Sequence, residues 1–475
     1  MQTTDLKDFL ELSYKELEVL NLEARSIKDN QQAKTKHVKY LSAEPRLKAV
    51  TVCFSDIEGR LHMIDYNKTY FLNSLDNLTF DGSSIRGFSE QSESDLRLDI
   101  DWTSLTHLPV DIFGRGKVLV FANILKSDGS VHESDFRGRL SRYASELKTK
   151  KSFDINMASE IEGFLIQGRD AEQKFVQQDG FKLVSIGGYY HSLPLDELRL
   201  FIDRTAEAQL AMGFKNEKDH AEVAPSQFEI NFKYTNVVRA CDQIQLYKLV
   251  CRQVAEQMGY TATFLPKPVS NLNGNGMHIN LSIAKNGQNL FSDAKGEAGL
   301  SKQGWDFIAK ILNRAPDICL LANSSVNAYR RLDPEFEAPN QIKASASDRS
   351  SMIRIPLAST STTRIEFRSV APDCNPYMTL YGIAKTGLDD VLPKQAKTDK
   401  RARVRMLPAN MNDAIRIFKA SDYTTDLLGE TAKQKYVDWK QKQANRNPRD
   451  LGTVVKDTEV LYHHEVTNQY LWGIF

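Results

Sequence analysis

The sequence predicts an α+β protein of more than one domain, and three observations carry that expectation. The chain has 475 residues, more than one hydrophobic core usually holds. Short β-branched and aromatic runs occupy residues 49–124, the signature of a small β-rich unit. Beyond Ser134 helix-length segments alternate with strand-like ones, the mixed order of a larger α+β unit.

Three segments follow. Residues 1–45 read as a helical appendage, because Leu10, Leu17, Leu20 and Leu22 recur at helical spacing amid Glu and Lys between about Leu6 and Tyr40. Residues 46–130 form the small domain, with predicted strands at Val50-Thr-Val-Cys-Phe54 and Val118-Leu-Val-Phe-Ala122 between glycine-bearing turns. Residues 131–475 form the large domain, with predicted helices over 136–148, 195–212, 237–258 and 302–313. From about Ala402 the pattern is again helical, with Gly429 as a stop and a further amphipathic turn over 436–443. The aromatic end, Gln469-Tyr-Leu-Trp-Gly-Ile-Phe475, is expected to bury its rings.

Composition excludes several classes. The net charge of +1, with charges spread along the chain, argues against a nucleic-acid partner. Cys53, Cys241, Cys251, Cys319 and Cys374 are an odd, scattered set without a Cys-x-x-Cys pair, which predicts reduced thiols and a cytoplasmic location. The N-terminus is polar and acidic rather than basic then apolar. The longest apolar runs are strand length, well short of the ~20 residues of a membrane span, so neither export nor a membrane partner is expected.

Six side chains in strand-like segments predict a divalent-metal site. They lie in Ala158-Ser-Glu-Ile-Glu162, Ala221-Glu-Val-Ala-Pro-Ser-Gln-Phe-Glu229, Gly274-Asn-Gly-Met-His278 and Arg364-Ile-Glu-Phe-Arg368. Strand side chains alternate faces, so Glu160 and Glu162 point together, as do Arg364, Glu366 and Arg368. Converging carboxylates need a cation, and five glutamates with one imidazole suit Mg²⁺ or Mn²⁺. Such a site suits phosphate chemistry. Glu222 and Glu229 stand seven apart, which in an unbroken strand sends them to opposite faces. Pro225-Ser226 is therefore expected to bulge an irregular strand. His278, Asn280 and Ser282 alternate with Ile279, Leu281 and Ile283, giving one polar face toward the site.

Phe80-Asp-Gly-Ser-Ser-Ile-Arg-Gly-Phe88 followed by Glu93-Ser-Asp95 resembles the signature of glutamine synthetase, bacterial type. Later blocks agree in order: Asn273-Gly-Asn-Gly-Met-His278, Asn327-Ala-Tyr-Arg-Arg-Leu332, Phe336-Glu-Ala-Pro339, Arg349-Ser-Ser-Met-Ile-Arg-Ile-Pro356, Arg364-Ile-Glu-Phe-Arg368 and Asn375-Pro-Tyr377. Together they span about residues 50–390. The resemblance implies a β-grasp-like N-terminal domain and a catalytic domain built on a curved antiparallel sheet with flanking helices.

It also implies roles. One metal position would be held by Glu162, Glu222 and Glu229, the other by Glu160, His278 and Glu366. Asn273 and Gly274 would meet the amino-acid end of glutamate, and Asn280 and Ser282 would lie toward the nucleotide. Arg331 and Arg368 would serve the glutamate carboxylate and transferred group, Arg349 and Arg354 the nucleotide phosphates, with Arg364 less defined. Guanidinium suits both anions. Asp56, in Phe54-Ser-Asp-Ile-Glu-Gly59, would attract ammonium, and Glu337 would sit on a flap over the intermediate. The implied reaction joins glutamate and ammonia at the expense of ATP through γ-glutamyl phosphate. The implied assembly is a homo-oligomer of two stacked six-membered rings with sites shared between subunits.

Two rivals remain open: a γ-glutamyl-amine ligase of the same superfamily, and a non-catalytic ring scaffold or nitrogen sensor. The chain departs from the usual family pattern in three places. His220-Ala221 stands where two histidines are usual, Ser226 replaces a glycine, and the loop after Asp389 lacks the segment carrying the family's tyrosine adenylylation site. That covalent regulation is therefore not expected.

Overall fold

The computed structural model describes residues 8–91, 94–172, 174, 180–192, 195–332, 338–392 and 404–445. Glu337, Glu93 and the aromatic end at 469–475 lie outside the described residues.

The N-terminal segment contains two helices rather than one. Helix α1 (Tyr14–Ser26) starts at a capping box between Ser13 and Glu16, and α2 (Asn30–Ala43) starts at Asp29, whose side chain accepts from Gln32 N–H. These polar caps, which leucine spacing does not reveal, break the continuous pattern. The helices are packed into the body. Asn21 is buried and donates to the carbonyls of His107 (2.9 Å) and Ala211 (2.8 Å), one in each domain.

The small sheet is formed by β1 (Ala49–Ser55), β2 (Leu61–Asn67), β3 (Thr79–Asp81), β4 (Asp95–His107) and β5 (Lys117–Leu125), in the order β2-β1-β5-β4-β3. Helix α3 (Lys68–Asn73) follows β2, and α4 (Val110–Phe113) precedes β5. Strands β1 and β5 pair in parallel and the other neighbours are antiparallel. Every residue of β1 is buried. Val50, Val52 and Phe54 fill the small-domain core, while Cys53 on the opposite face joins the large-domain core. A strand covered on both faces reads as a continuous apolar run, and Val-Thr-Val-Cys-Phe is such a run.

In the large domain, helix α5 (Phe136–Lys151) leads into β6 (Phe153–Gln167), α6 (Glu197–Ala211) precedes the pair β7 (Asn216–Ala221) and β8 (Gln227–Phe232), and the short β9 (Thr235–Asn236) opens α7 (Val237–Met258). Then come β10 (Tyr260–Thr263), β11 (Met277–Lys285), β12 (Gln288–Asn289), α8 (Lys302–Ala322), α9 (Val326–Arg331), β13 (Gln341–Ser345), β14 (Ser351–Arg354), β15 (Ile365–Phe367) and α10 (Pro376–Asp389). Helices α11 (Met411–Ala420), α12 (Asp422–Leu428) and α13 (Glu430–Asn445) complete the described chain.

The described strands form a ten-stranded sheet with the path β13-β14-β15-β11-β6-β8-β7. It is antiparallel apart from the parallel β13–β14 pair. Helix α8 runs past the predicted end at 313 and contains Pro316. Proline removes one helical hydrogen bond, but Phe307, Ile311, Ile318 and Leu321 bury a continuous face that sustains the helix. All five cysteines are buried and unpaired.

Candidate active site

The site is organised by β6. Its residues Ile155, Met157, Ser159 and Ile161 face the core, so Glu160 and Glu162 share the other face. Glu160 lies opposite His278 of β11, whereas Glu162 lies opposite Glu229 of β8. The strand changes partners between the two glutamates, and each inherits a different neighbour set.

On the first side, Glu160, His278 and Glu366 offer ligand atoms all within 4.8 Å of one another. His278 Nδ1 stands 3.6 Å from Glu160 and 3.9 Å from Glu366. Glu366 is 1% exposed, held by Arg354 Nη1 at 2.8 Å on one oxygen and Arg368 Nη1 at 2.8 Å on the other. Asn280 donates to Glu160 (3.0 Å) and accepts from Arg364 Nε (2.8 Å).

On the second side the close cluster is His220, Glu222 and Glu229. His220 lies 3.8 Å from Glu222 and 3.5 Å from Glu229. Glu162 adjoins this group and the first one, with His278 Nε2 at 4.0 Å and an N–H donated by Gly276 at 2.7 Å. His220 was missed by sequence reasoning. Its signal was the two-residue spacing to Glu222, which puts both on one strand face.

The expected bulged strand is instead a hairpin. Strands β7 and β8 pair antiparallel with His220 opposite Glu229, and Glu222 N–H donates to Gln227 O at 2.8 Å across the turn. Ser226, at φ +64°, occupies the left-handed region within that turn. Chain reversal, rather than a shifted register within one strand, brings the two glutamates together. Pro225 lies within the connection, where a missing N–H costs the ladder nothing.

Charge is poorly balanced here. Burial pushes the Glu222 carboxyl up to about 7, and the neighbouring Glu162 and Glu229 add to the rise. Glu162 is also raised by burial and by Glu229, against the pull of His278. Burial acts on Glu160 in the same direction, yet the hydrogen bond and charge of His278 outweigh it and hold the carboxyl near 2. His278 is raised in turn, Glu160 overcoming the effect of burial. Donors sharing one octahedral ion at its usual bond length stand about 3–4 Å apart. The separations of 3.5–3.9 Å within both clusters match that spacing, and the oxygen-rich donor set fits a hard dication.

The remaining expected residues fall as follows. Arg331 is buried, donates to Arg368 O at 2.8 Å, and is pushed down to about 10 chiefly by burial. Gly274 lies against it: a Cβ there would stand 2.4 Å from Pro266 O and 3.0 Å from Arg331 Cγ, so only glycine fits. Asn273 and Ser282 are half-buried, and Arg349 is exposed in the turn between β13 and β14. Gln227 ties β8 to the glycine loop, donating to Gly274 O (3.1 Å) and Asn275 Oδ1 (2.9 Å). Tyr189 and Tyr190 stack at 3.8 Å and meet His220 edge-on, an exposed aromatic pair that apolar periodicity does not flag.

Asp56 is on the small-domain turn after β1 and is 2% exposed. Its Oδ1 accepts from Glu58 N–H (2.9 Å) and Arg60 N–H (3.0 Å), and its Oδ2 lies 3.2 Å from His62 Nε2. Gly59 in the same turn adopts φ +90°, and a Cβ there would meet Asn375 Cα at 2.5 Å.

Known proteins agree with this architecture. Residues 46–127 match the family description of a glutamine synthetase beta-Grasp domain, and residues 133–455 that of a glutamine synthetase catalytic domain. A glutamine synthetase of Thermotoga maritima is 32% identical over 424 residues, covering 85% of this chain and 95% of the relative. One of Staphylococcus aureus is 34% identical over 420 residues, covering 85% and 93%. Among solved structures, a Plasmodium falciparum glutamine synthetase superposes with TM-score 0.74 at 20% identity, covering 94% of this chain and all of that one. A GmaS/ADP complex gives TM-score 0.74 at 23%, covering 92% and 99%. The chain belongs to the glutamine synthetase family and is a ligase of that family.

Proposed function

We propose that this ligase forms glutamine from glutamate and ammonia, with ATP activating the glutamate carboxylate as γ-glutamyl phosphate. The observation that carries the reading is the pair of acidic clusters on either side of His278, flanked by Arg331, Arg354 and Arg368. Glu160, His278 and Glu366 would hold one divalent ion, and Glu162, Glu222 and Glu229, with His220 beside them, a second. Bound Mg²⁺ or Mn²⁺ would neutralise charge on the transferring phosphoryl oxygens.

The chain's own groups do the rest. Arg331 and Arg368 grip the glutamate carboxylate and the transferred group, and Arg349 and Arg354 meet the nucleotide phosphates. Asn273 and Gly274 receive the amino-acid end at close backbone approach, while Asn280 and Ser282 line the nucleotide side. Glu337, outside the described residues, would cover the acyl phosphate against water. Asp56 would serve a neighbouring subunit's amine site within two stacked hexameric rings in the cytoplasm. No described helix is long and apolar enough to cross a membrane.

One observation favours a second reading, a γ-glutamyl-amine ligase. The Asp56 carboxylate already accepts from two N–H groups on Oδ1 and has His62 at 3.2 Å from Oδ2, which leaves about one of its four acceptor positions for an ammonium ion. Phosphate release is measured with ATP, Mg²⁺ and glutamate, with ammonium, ethanolamine, putrescine or no acceptor. Ammonium-dependent release with stoichiometric glutamine supports the first reading, and a clear preference for an organic amine replaces it with the second. Nucleotide binding without release under any acceptor favours the scaffold.

A further inference from the structure

A cavity of about 490 Å³ lies where α1, the small sheet, α5 and the start of α7 meet. The metal-ligating strands take no part in its lining. Arg25 enters from α1, donating to the carbonyls of Met212 (2.7 Å) and Gly213 (2.5 Å). Arg239 enters from the first turn of α7, donating to the carbonyls of Arg25 (3.0 Å) and Thr103 (3.2 Å). Among the described residues neither guanidinium has a carboxylate within ion-pair distance, whereas Arg137 nearby is bonded to both Asp101 and Asp242. Burial, reinforced by Arg239, pushes Arg25 down to about 9 against the pull of Asp242, and Asp242 and Asp101 offset part of the Arg239 charge without pairing with it.

Two further features point to an occupant. The 22-residue α7 opens into the cavity with no acidic residue in its first turn, and a helix N-terminus favours anions. Gln243, one turn on, lines the cavity, is 4% exposed, and its Oε1 has no hydrogen-bond partner. A buried carbonyl oxygen left unpaired calls for a donor. Ser141 and Ser145 add hydroxyls, Asp99 adds a carboxylate acceptor, Asp101 and Asp242 also line the wall but are paired with Arg137, and Lys28 stands exposed at the rim.

We propose that this seam between the domains is a second binding site, for a small phosphorylated polyhydroxy compound. The phosphate is taken by Arg25, Arg239, Lys28 and the α7 N-terminus, and the hydroxyls by Gln243, the serines and Asp99. The site is independent of which amine the ligase uses.

Isothermal titration of the intact protein with ribose 5-phosphate, inorganic phosphate and ribose tests it. The expected result is one ribose 5-phosphate per chain, weaker or absent binding of ribose, and a Kd raised at least tenfold in Arg239→Gln and severalfold in Lys28→Gln. Binding should persist in Arg354→Ala, which alters the ligase site. If Arg239→Gln does not fold, Lys28→Gln and Ser145→Ala decide. Absence of binding, binding unchanged by the seam substitutions, or binding abolished by Arg354→Ala overturns the proposal.

Discussion

Lys440 Nζ lies 3.1 Å from Glu58 Oε1, and both side chains are 2% exposed or less. The pair ties the last described helix, α13, to the small-domain turn that carries Asp56. Arg86 joins the same carboxylate at 2.5 Å and Gln443 also donates to it. Burial alone would raise Glu58, but Lys440 and Arg86 hold it below the usual carboxylate range. Removing Lys440 leaves the buried Glu58 with Arg86 as its only cation among the described residues and strips one oxygen of a charged partner. Lys440→Met is therefore expected to destabilise by about 1.5–3 kcal/mol, read as a lowered urea midpoint. The double variant Glu58→Leu with Lys440→Met should recover a large part of that loss. Equal destabilisation in the single and double variants would show that packing, not charge, is what Lys440 supplies.

Ser226 combines a strained backbone with a well-used hydroxyl. Its Oγ accepts from Val184 N–H and Ser185 N–H, each at 2.7 Å, and donates to Ser185 O at 3.1 Å. Ser226→Ala keeps the strain at φ +64° and orphans one buried and one part-buried N–H group, for an expected loss of about 1–3 kcal/mol. Ser226→Gly loses the same bonds but relieves the left-handed backbone, so it should be milder by about 1 kcal/mol. Thermal unfolding of the two variants gives the order. Alanine as stable as glycine would remove backbone strain from the account.

Glu222 opposes stability in the absence of metal. Its folded-state carboxyl titrates near 7, above the ordinary 4.5, so the folded chain binds a proton that the unfolded chain has released. Stability is lost as pH rises from about 4.5 through 7. In protein stripped of metal, Glu222→Gln should raise stability by about 1–3 kcal/mol above pH 7, and by little at pH 4.5. Mg²⁺ or Mn²⁺ should raise the apparent Tm of the parent by several degrees, and that of the variant by less. A metal-induced shift of the same size in both proteins would remove Glu222 from the ion's ligands.

Buried histidines that resist protonation oppose stability in acid. His107 is 5% exposed with neither ring nitrogen bonded, and burial, aided by His37, pushes it down to about 4. His132 is likewise pushed down to about 4, with Nδ1 accepting from Ser134 N–H at 3.1 Å. Below about 6.5 the unfolded chain takes up protons that the folded chain refuses, so stability falls from pH 6.5 to about 4. For His107 the full loss is at most ~3 kcal/mol. His107→Leu should flatten the dependence of apparent Tm on pH in this window; an unchanged slope would assign the acid sensitivity to other groups.

The ingredients of the site are written locally in the chain. Strand parity places Glu160 with Glu162 and His278 with Asn280, because alternation of faces is a local property of extended backbone. A strand at β1 and the start and end of α7 were legible for similar reasons of local pattern. Tertiary structure decided what those ingredients meet. Glu160, His278 and Glu366 are separated by roughly a hundred residues at each step, and only the pairing of β6 with β11 and of β11 with β15 brings them together. Where β6 exchanges β11 for β8, Glu162 acquires Glu229 and, through the β7–β8 hairpin, His220. Asp56 was legible as a carboxylate in a turn, but its contacts with His62 and two N–H groups depend on how that turn closes. Side-chain chemistry and periodicity are written residue by residue, whereas the neighbours that tune a charge come from strand pairings and turns set by the packing of the whole chain.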